Sequence, residues 1–483
     1  MSVERKRYRA LTRGFSLLIA FLLTSLLSTG LAVAAAPARI TLFVHVNVVP
    51  MSSDQVIRDH SVLIEDARIK AIGRDIPAPE NARVIDGHGT EFLSPGLADM
   101  HTHSDTSRDM IVFLANGVTT VLNMGEARNS FMAQTRPKVN RGGTPGPHIY
   151  AAFLVDGTPE YGHLAVATQA EARALVDIAK TNDYDFIKVY NNLSPECFRA
   201  LIEQGRVDGL PIVGHGVSRV GIERQLDEGQ LMVAHAEEYL YTVFFPPDYS
   251  GQDAPKPEQI ASAIDFTKRT GAFVTADLNT YATIARQWGK PEIVDDFLRQ
   301  PEVRYLDPDD RIAWKNSPYV RKSGDLNARL DFLKKFTKAL ADAGVPLITG
   351  TDSPSIPGLV PGFSLHQDLH ALEAAGLSRY QILRAATRNA GDLAAKAKPN
   401  DPKFGVIETG NRADLVLSEK NPLDDLMTLK KPLGVMASGR WYDGGELETL
   451  LEGVAAKYEA AAQNPSSRRA QAMEDSRNGN QKK

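Results

Sequence analysis

The chain has 483 residues, 43% hydrophobic and 24% charged, an ordinary globular balance with length for more than one core. A formal net charge of −4 gives no electrostatic case for nucleic acid or an anionic membrane as partner. The single cysteine, Cys197, excludes an intrachain disulfide and a cysteine-rich zinc site, and it reads as a small core residue.

At the N-terminus, Arg5, Lys6, Arg7, Arg9 and Arg13 precede the apolar run FSLLIAFLLTSLLSTGLAVAAA. Basic, apolar and then small residues, in that order, predict a signal peptide over residues 1–36, with cleavage after Ala34, Ala36 or Ala38. The expected location is therefore periplasmic or secreted, with no stable membrane association once the segment is removed. An uncleaved anchor is the rival reading, because the run is long enough to span a bilayer.

Next come ITLFVHVNVV, SVLIEDARIKAIG and ARVIDGHG, which alternate apolar and polar residues between turn signals. FGVIETGNRADLVLS and GVMASGRWYDG repeat the pattern near the C-terminus. Together they predict a small β-sandwich built from both chain ends, residues 37–93 and 401–445.

Residues 94–400 follow another rhythm, short apolar runs alternating with amphipathic helical segments. The candidate strands are FLSPGLADMH, GVTTVLNMG, HIYAAFLV, DFIKVY, LPIVGHG, LMVAHA, AFVTADL and VPLITGTD. Eight strands with intervening helices predict an α/β fold, a (β/α)8 TIM barrel. The helix in RLDFLKKFTKALADAG should close at Gly344, before the eighth strand. Residues 279–328 exceed what one helix needs, and read as a lid over the barrel mouth or as a surface excursion. Residues 446–483 read as a helix and a polar, disordered tail.

Barrel enzymes place their chemistry at the C-terminal ends of the strands. There the first strand carries His101 and His103, the fourth Lys188, the fifth His215, the sixth His235 and the eighth Asp352. Each has a bland alternative: a hydrogen-bonded structural histidine, a lysine stem packed in the barrel wall, an aspartate capping a helix. Six at strand ends on one barrel face are hard to assign to coincidence. Four imidazoles and a carboxylate suit Zn²⁺ or a similar divalent ion. His366 and His370, four apart on a predicted helix, lack the glutamate of a zincin motif and read as structural.

PGLADMHTHSD, GVTTVLNMG, DFIKVY, GHG, AHAEEY, GTDSP, AATRNAGDLA and GNRADLVL…NPLDD resemble the amidohydrolase superfamily. The similar branch holds imidazolonepropionase-like proteins and metal-dependent Xaa-Pro-type dipeptidases, and the likeness runs from about Ile40 to Gly445. It implies two divalent metal ions, zinc foremost. His101, His103 and Asp352 would hold one ion and His215 and His235 the other, bridged by Lys188 carrying an N6-carboxylate. Asp352 would also be the catalytic base. An ammonium beside two cations would be repelled, whereas burial and positive charge favour the neutral amine that adds carbon dioxide.

Family deaminases carry His-x-x-Glu on the fifth strand and a further histidine on the sixth. Here HGVS follows at His215 and no histidine comes after His235 until His366, so deamination is disfavoured. The expected reaction is hydrolysis of an amide or peptide bond in a small-molecule or dipeptide substrate, with His163 and Tyr190 as substrate contacts. Ring opening of a cyclic amide and an inactive, metal-stabilised binding protein are the alternatives. Many relatives are homo-oligomers, so the resemblance allows that assembly without setting a number.

Overall fold

The computed structural model describes residues 39–246 and 249–462. The signal-peptide segment and the tail beyond residue 462 lie outside the described residues.

Three N-terminal strands, β1 (Ile40–Val48), β2 (Ile57–Glu65) and β3 (Arg68–Gly73), pair antiparallel in succession, and β4 (Arg83–Asp86) and β5 (Phe92–Pro95) run parallel to β1. The barrel follows: β6 (Leu97–Thr102), β7 (Val118–Asn123), β8 (His148–Val155), β9 (Phe186–Val189), β10 (Ile212–Gly214), β11 (Met232–Val233), β12 (Phe273–Thr275) and β13 (Leu347–Ile348). Finally β14 (Leu415–Ser418), β15 (Gly434–Ala437) and β16 (Arg440–Asp443) return to the first sheet.

That first sheet is mixed, in the order β16-β15-β14-β5-β1-β2-β3 with β4 beside β1, so the expected union of the two chain ends is real. Its alternating apolar residues close a separate core of Phe43, Val62, Ile64, Leu93, Leu415 and Met436, with the Phe43 and Trp441 rings edge to face at 5.2 Å. The run FLSPGLADMH, expected as one strand, is divided at Gly96. Its first half pairs with β14 and its second half opens the barrel, because the Gly96 N–H donates to the Asp414 carbonyl at 2.9 Å. Apolar periodicity does not mark such a change of sheet.

β6 to β13 form one parallel sheet in sequence order. Its ends meet through Met100 N–H to Thr349 O (2.9 Å) and His103 N–H to Ser353 O (2.8 Å), leaving a nearly closed, TIM-like barrel. Ala98, Met100, Leu122, Tyr150, Ala152, Phe186, Val213, Met232 and Phe273 form a buried cluster built from these strands. The helix of RLDFLKKFTKALADAG runs Asn327–Asp342 and ends before Gly344, as expected. Buried Cys197 packs in the helix Pro195–Asp208.

Residues 279–328 fold into short helices, Pro291–Leu298 and Pro308–Trp314 among them, around their own core of Val294, Phe297, Val303, Leu306 and Trp314. The Trp314 indole donates to the Pro354 carbonyl at 2.8 Å, tying this insertion to the loop after β13. The C-terminal helix Gly444–Ala462 packs Val454 and Tyr458 against Val112 of the helix Ser107–Ala115. No helix among the described residues is long and apolar enough to cross a membrane.

Candidate metal centre

The strand-end groups meet at one mouth of the barrel. His101 and His103 leave β6, Lys188 sits within β9, His215 follows β10, His235 follows β11 and Asp352 lies four residues past β13. A register shift between Asp99 and Thr102 breaks the strict alternation of β6. His101 and His103 thereby join the ring of polar groups although Ala98 and Met100 lie in the core.

Asp352 Oδ1 lies 3.1 Å from His103 Nε2 and 3.4 Å from His101 Nε2. One ligand-type atom from each of His101, His103 and Asp352 lies within 4.8 Å of the other two, near enough to share an ion. Lys188 Nζ is 3.2 Å from His101 Nε2. The His101 and His235 rings are 4.3 Å apart and those of His215 and His235 5.0 Å apart, so the two halves of the group are contiguous.

Each histidine is held through Nδ1. His101 Nδ1 meets the Ala234 carbonyl at 3.1 Å and His103 Nδ1 the Gly125 carbonyl at 3.2 Å. His215 Nδ1 is 2.7 Å from Glu238 Oε1, and His235 Nδ1 is hydrogen-bonded to Asp277 Oδ2. An acceptor at Nδ1 selects the tautomer with a free lone pair on Nε2, the arrangement that outer partners impose on metal-binding histidines.

Backbone geometry serves the same end. Asp352 has φ of +59°, the left-handed region that a non-glycine residue seldom adopts, and such strain gathers at functional sites. Just before His215, Gly214 has φ of +131°, and a Cβ there would lie 2.3 Å from the Val189 carbonyl oxygen. A Cβ on Gly350 would lie 2.6 Å from that of His101. Both positions exclude a side chain where neighbouring strands close on the site.

Burial dominates the electrostatics. It lowers the Lys188 amine to about 8 despite the opposing fields of Asp352 and Glu126. It also drives His101 well below its usual range, with Lys188 adding to the effect, and brings His215 to about 4 against the pull of Glu238. At His235 burial is overcome by the charge and hydrogen bond of Asp277, which raise it to about 10. The Asp352 carboxyl, although desolvation opposes it, is held well below the usual carboxylate range by the hydrogen bond and charge of His103. The donor set therefore includes imidazoles held neutral at His101 and His215, an ionised carboxylate and a lysine moved toward its neutral form, while a bound cation would have to displace the proton that Asp277 favours on His235; such a set fits divalent ions.

Of the two expected substrate contacts, Tyr190 follows β9 directly, its ring 4.2 Å from His215 and 4.6 Å from His163. His163 Nδ1 lies 3.1 Å from Glu126 Oε1. Sequence reasoning gave Glu126, Asp277 and Glu238 no role at the site. Their positions at strand ends, in NMGE, TADL and HAEE, were the available clue. His366 and His370 form no site: His366 is buried with Nε2 2.9 Å from the Asn116 carbonyl oxygen, and His370 is exposed.

Two cavities flank the group. One of about 240 Å³ is lined by His103, Glu126 and Asp307, and one of about 600 Å³ by Glu237, Trp288 and Tyr319. Asp307, Trp288 and Tyr319 come from the 279–328 insertion, which therefore walls the barrel mouth. A cavity of about 670 Å³ beside the C-terminal helix contains none of the strand-end groups.

A nearly closed barrel with a His-His-Asp group and a buried lysine at its C-terminal mouth defines a metal-dependent hydrolase. The Amidohydrolase family model matches residues 92–442, and the chain belongs to that family, whose members act on carbon–nitrogen bonds. Ochratoxinase of Aspergillus niger is 22% identical over 418 residues, covering 78% of this chain and 81% of the relative. Among solved structures, bottromycin amidohydrolase superposes with a TM-score of 0.68 at 22% identity, over 88% of this chain and 91% of the other. A putative prolidase from Bifidobacterium longum gives 0.62 at 21% identity, over 86% of this chain and 99% of the other.

Proposed function

We propose that this protein hydrolyses the amide or peptide bond of a dipeptide or an N-acyl amino acid, using two divalent ions, zinc foremost. The observation that carries the reading is the contiguous ring of four Nδ1-anchored histidines, Asp352 and buried Lys188 at the barrel mouth. His101, His103 and Asp352 would hold one ion, and His215 and His235 the other. Lys188, moved toward its neutral amine by burial, could add carbon dioxide with loss of a proton, and the resulting N6-carboxylate would supply oxygen ligands to the ions.

Ions held there would supply a water of lowered pKa and a Lewis acid for the scissile carbonyl. Asp352, ionised and beside both β6 histidines, accepts the proton of the attacking water and returns it to the leaving amine. Tyr190, its ring tilted against His215, and His163, edge-on to Tyr190, orient the carbonyl side of the substrate. The N-terminal order of basic, apolar and small residues supports an exported enzyme that meets its substrates in the periplasm or outside the cell.

Metal content and activity test this together. Elemental analysis of protein grown with bicarbonate should give about two ions per chain, falling in Lys188→Ala, and dipeptides or N-acyl amino acids should be turned over. One ion per chain, indifferent to Lys188, would sink the bridged pair and bring cyclic-amide ring opening forward. Full metal content without turnover of any amide would favour a binding protein.

A further inference from the structure

Between β8 and the helix Gln169–Thr181 the chain forms a loop, residues 157–165, that carries Tyr161 and His163. Its neck is closed by the backbone: the Asp156 N–H donates to the Leu164 carbonyl at 2.8 Å, and the Val166 N–H to the Asp156 carbonyl at 2.9 Å. Beyond that neck no apolar residue from Gly157 to Ala165 is buried, and Tyr161 and Leu164 are each more than half exposed. Hydrophobic packing therefore does not set the place of this loop. Its two rings nevertheless stand close beside Tyr190, Tyr161 at 5.2 Å and His163 at 4.6 Å, with Tyr190 itself 4.2 Å from His215.

Polar contacts set it instead. Asp156 is wholly buried, and among the described residues its carboxylate is met by N–H donors from two loops rather than by a cation. Its Oδ1 accepts the Gly157 N–H and the Asn192 N–H, both at 2.7 Å, and its Oδ2 accepts from Asn192 Nδ2 at 3.2 Å. The same side-chain amide lies 3.1 Å from Thr158 Oγ1 and 3.2 Å from Glu160 Oε2. Asn192, two residues past Tyr190, thus grips the first limb of the loop along its length. On the far side, the Asn191 carbonyl accepts the Ser218 N–H at 3.0 Å, which ties this junction to the loop that follows His215. At the second limb, Glu126 Oε1 lies 3.1 Å from His163 Nδ1.

Burying a carboxylate without a counter-ion costs free energy, which its hydrogen bonds offset only while the donors stay in place. The donors here come from the loop and from the residue just past Tyr190, so satisfying Asp156 fixes one against the other. Resting on the reading that Tyr190 and His163 contact the substrate, we propose that Asp156 and Asn192 form a clamp that positions the 157–165 loop as a substrate-facing wall. They are positioning residues, which act through the rings of Tyr161 and His163 and leave the metal-binding side chains alone. Without the clamp the loop has no apolar anchor, while the barrel keeps its core.

The test uses the metal-loaded full chain, a panel of dipeptides and N-acetyl amino acids, and Asn192→Ala, which keeps the backbone N–H bound to Asp156. Its kcat/KM should fall about tenfold or more, chiefly through KM, while ion content and Tm stay at wild-type values. Asn192→Asp, which sets a carboxylate against Asp156 and Glu160, should lose at least as much. In a chain already carrying Tyr161→Ala and His163→Ala, Asn192→Ala should cost less than about twofold more, because the clamp then has no ring to position. Unchanged kcat/KM, a fall matched by lost metal or lowered Tm, or the full extra loss in the doubly substituted chain would overturn the inference.

If the wild type turns over no amide, the hydrolytic reading fails separately, and hydrogen exchange decides the clamp. In Asn192→Ala the amides of residues 157–165 should exchange about tenfold or more faster, with those of β8 and β9 unchanged. Loop exchange equal to that of the wild type, or faster exchange throughout the barrel, would overturn it.

Discussion

Asp352 combines two properties that are costly separately: a left-handed backbone and a half-buried, ionised carboxylate. Both are sustained by neighbours, since its N–H donates to the His101 carbonyl at 2.7 Å while its carboxylate faces His101 and His103. Asp352→Asn keeps the shape and removes the base. Steady-state assays should show kcat lowered by roughly 10²–10⁴-fold, the range of a general acid–base contribution, with circular dichroism unchanged. Near-normal kcat with metal retained would dismiss the assignment. The partners behind the histidines act differently. Asp277→Asn or Glu238→Gln frees an imidazole to rotate and lowers its basicity, so metal affinity should fall about 10–100-fold in competition with a chelating dye. Turnover at saturating metal should recover much of the loss.

Among the elements, the helix Ser107–Ala115 shows how packing sets a pH dependence. Thr106 caps it by accepting the Asp109 N–H at 3.0 Å, and Asp109 is buried against the C-terminal helix, 3.5 Å from the Tyr458 hydroxyl. Burial, with the charge of Asp310, raises the Asp109 carboxyl to about 8 from an ordinary 3.8. The folded state therefore binds more protons than the unfolded chain between these values. Stability contributed by Asp109 is full below about 3.8 and declines as pH rises toward 8, by up to about 1.4 kcal/mol per unit. Asp109→Asn should remove that slope. Urea midpoints at pH 6 and pH 9 should converge in the variant relative to the wild type, and an unchanged difference would refute the linkage. The 279–328 insertion acts at the same scale, its own core and the Trp314 anchor holding Tyr319 and Asp307 in the walls of the two cavities.

For the molecule as a whole, the proposed centre joins β6, β9, β10, β11 and the loop after β13, so ions held there would clamp most of the barrel. Binding to the folded state alone stabilises it by RT ln(1 + [L]/Kd), about 2.7 kcal/mol at a hundredfold excess over Kd. Chelation should lower Tm, and zinc at increasing concentration should restore it with a midpoint that tracks activity. A Tm indifferent to chelation would separate the centre from the fold's stability and weaken the assignment of these side chains as ligands.

Much of this architecture was legible in the linear chain because it rests on local pattern. Period-two alternation marked the terminal strands, the alternation of apolar runs with amphipathic helices marked the barrel, and seven of the eight barrel strands lie within the segments so identified, β6 passing the end of its segment by Thr102. His101, His103, Lys188, His215, His235 and Asp352 stood out because they end those strands, and a barrel gathers strand ends at one mouth. What stayed hidden depends on distant partners. The break at Gly96 follows from a hydrogen bond to Asp414, more than three hundred residues away, and the register shift in β6 follows from how its edges are shared. Glu238 and Asp277 acquire meaning only when their carboxylates meet His215 and His235. The sequence by itself determined which strands form and what chemistry they carry at their ends. Only the tertiary structure decided which carboxylates support that chemistry, because desolvation and pairing arise between segments that the chain keeps far apart.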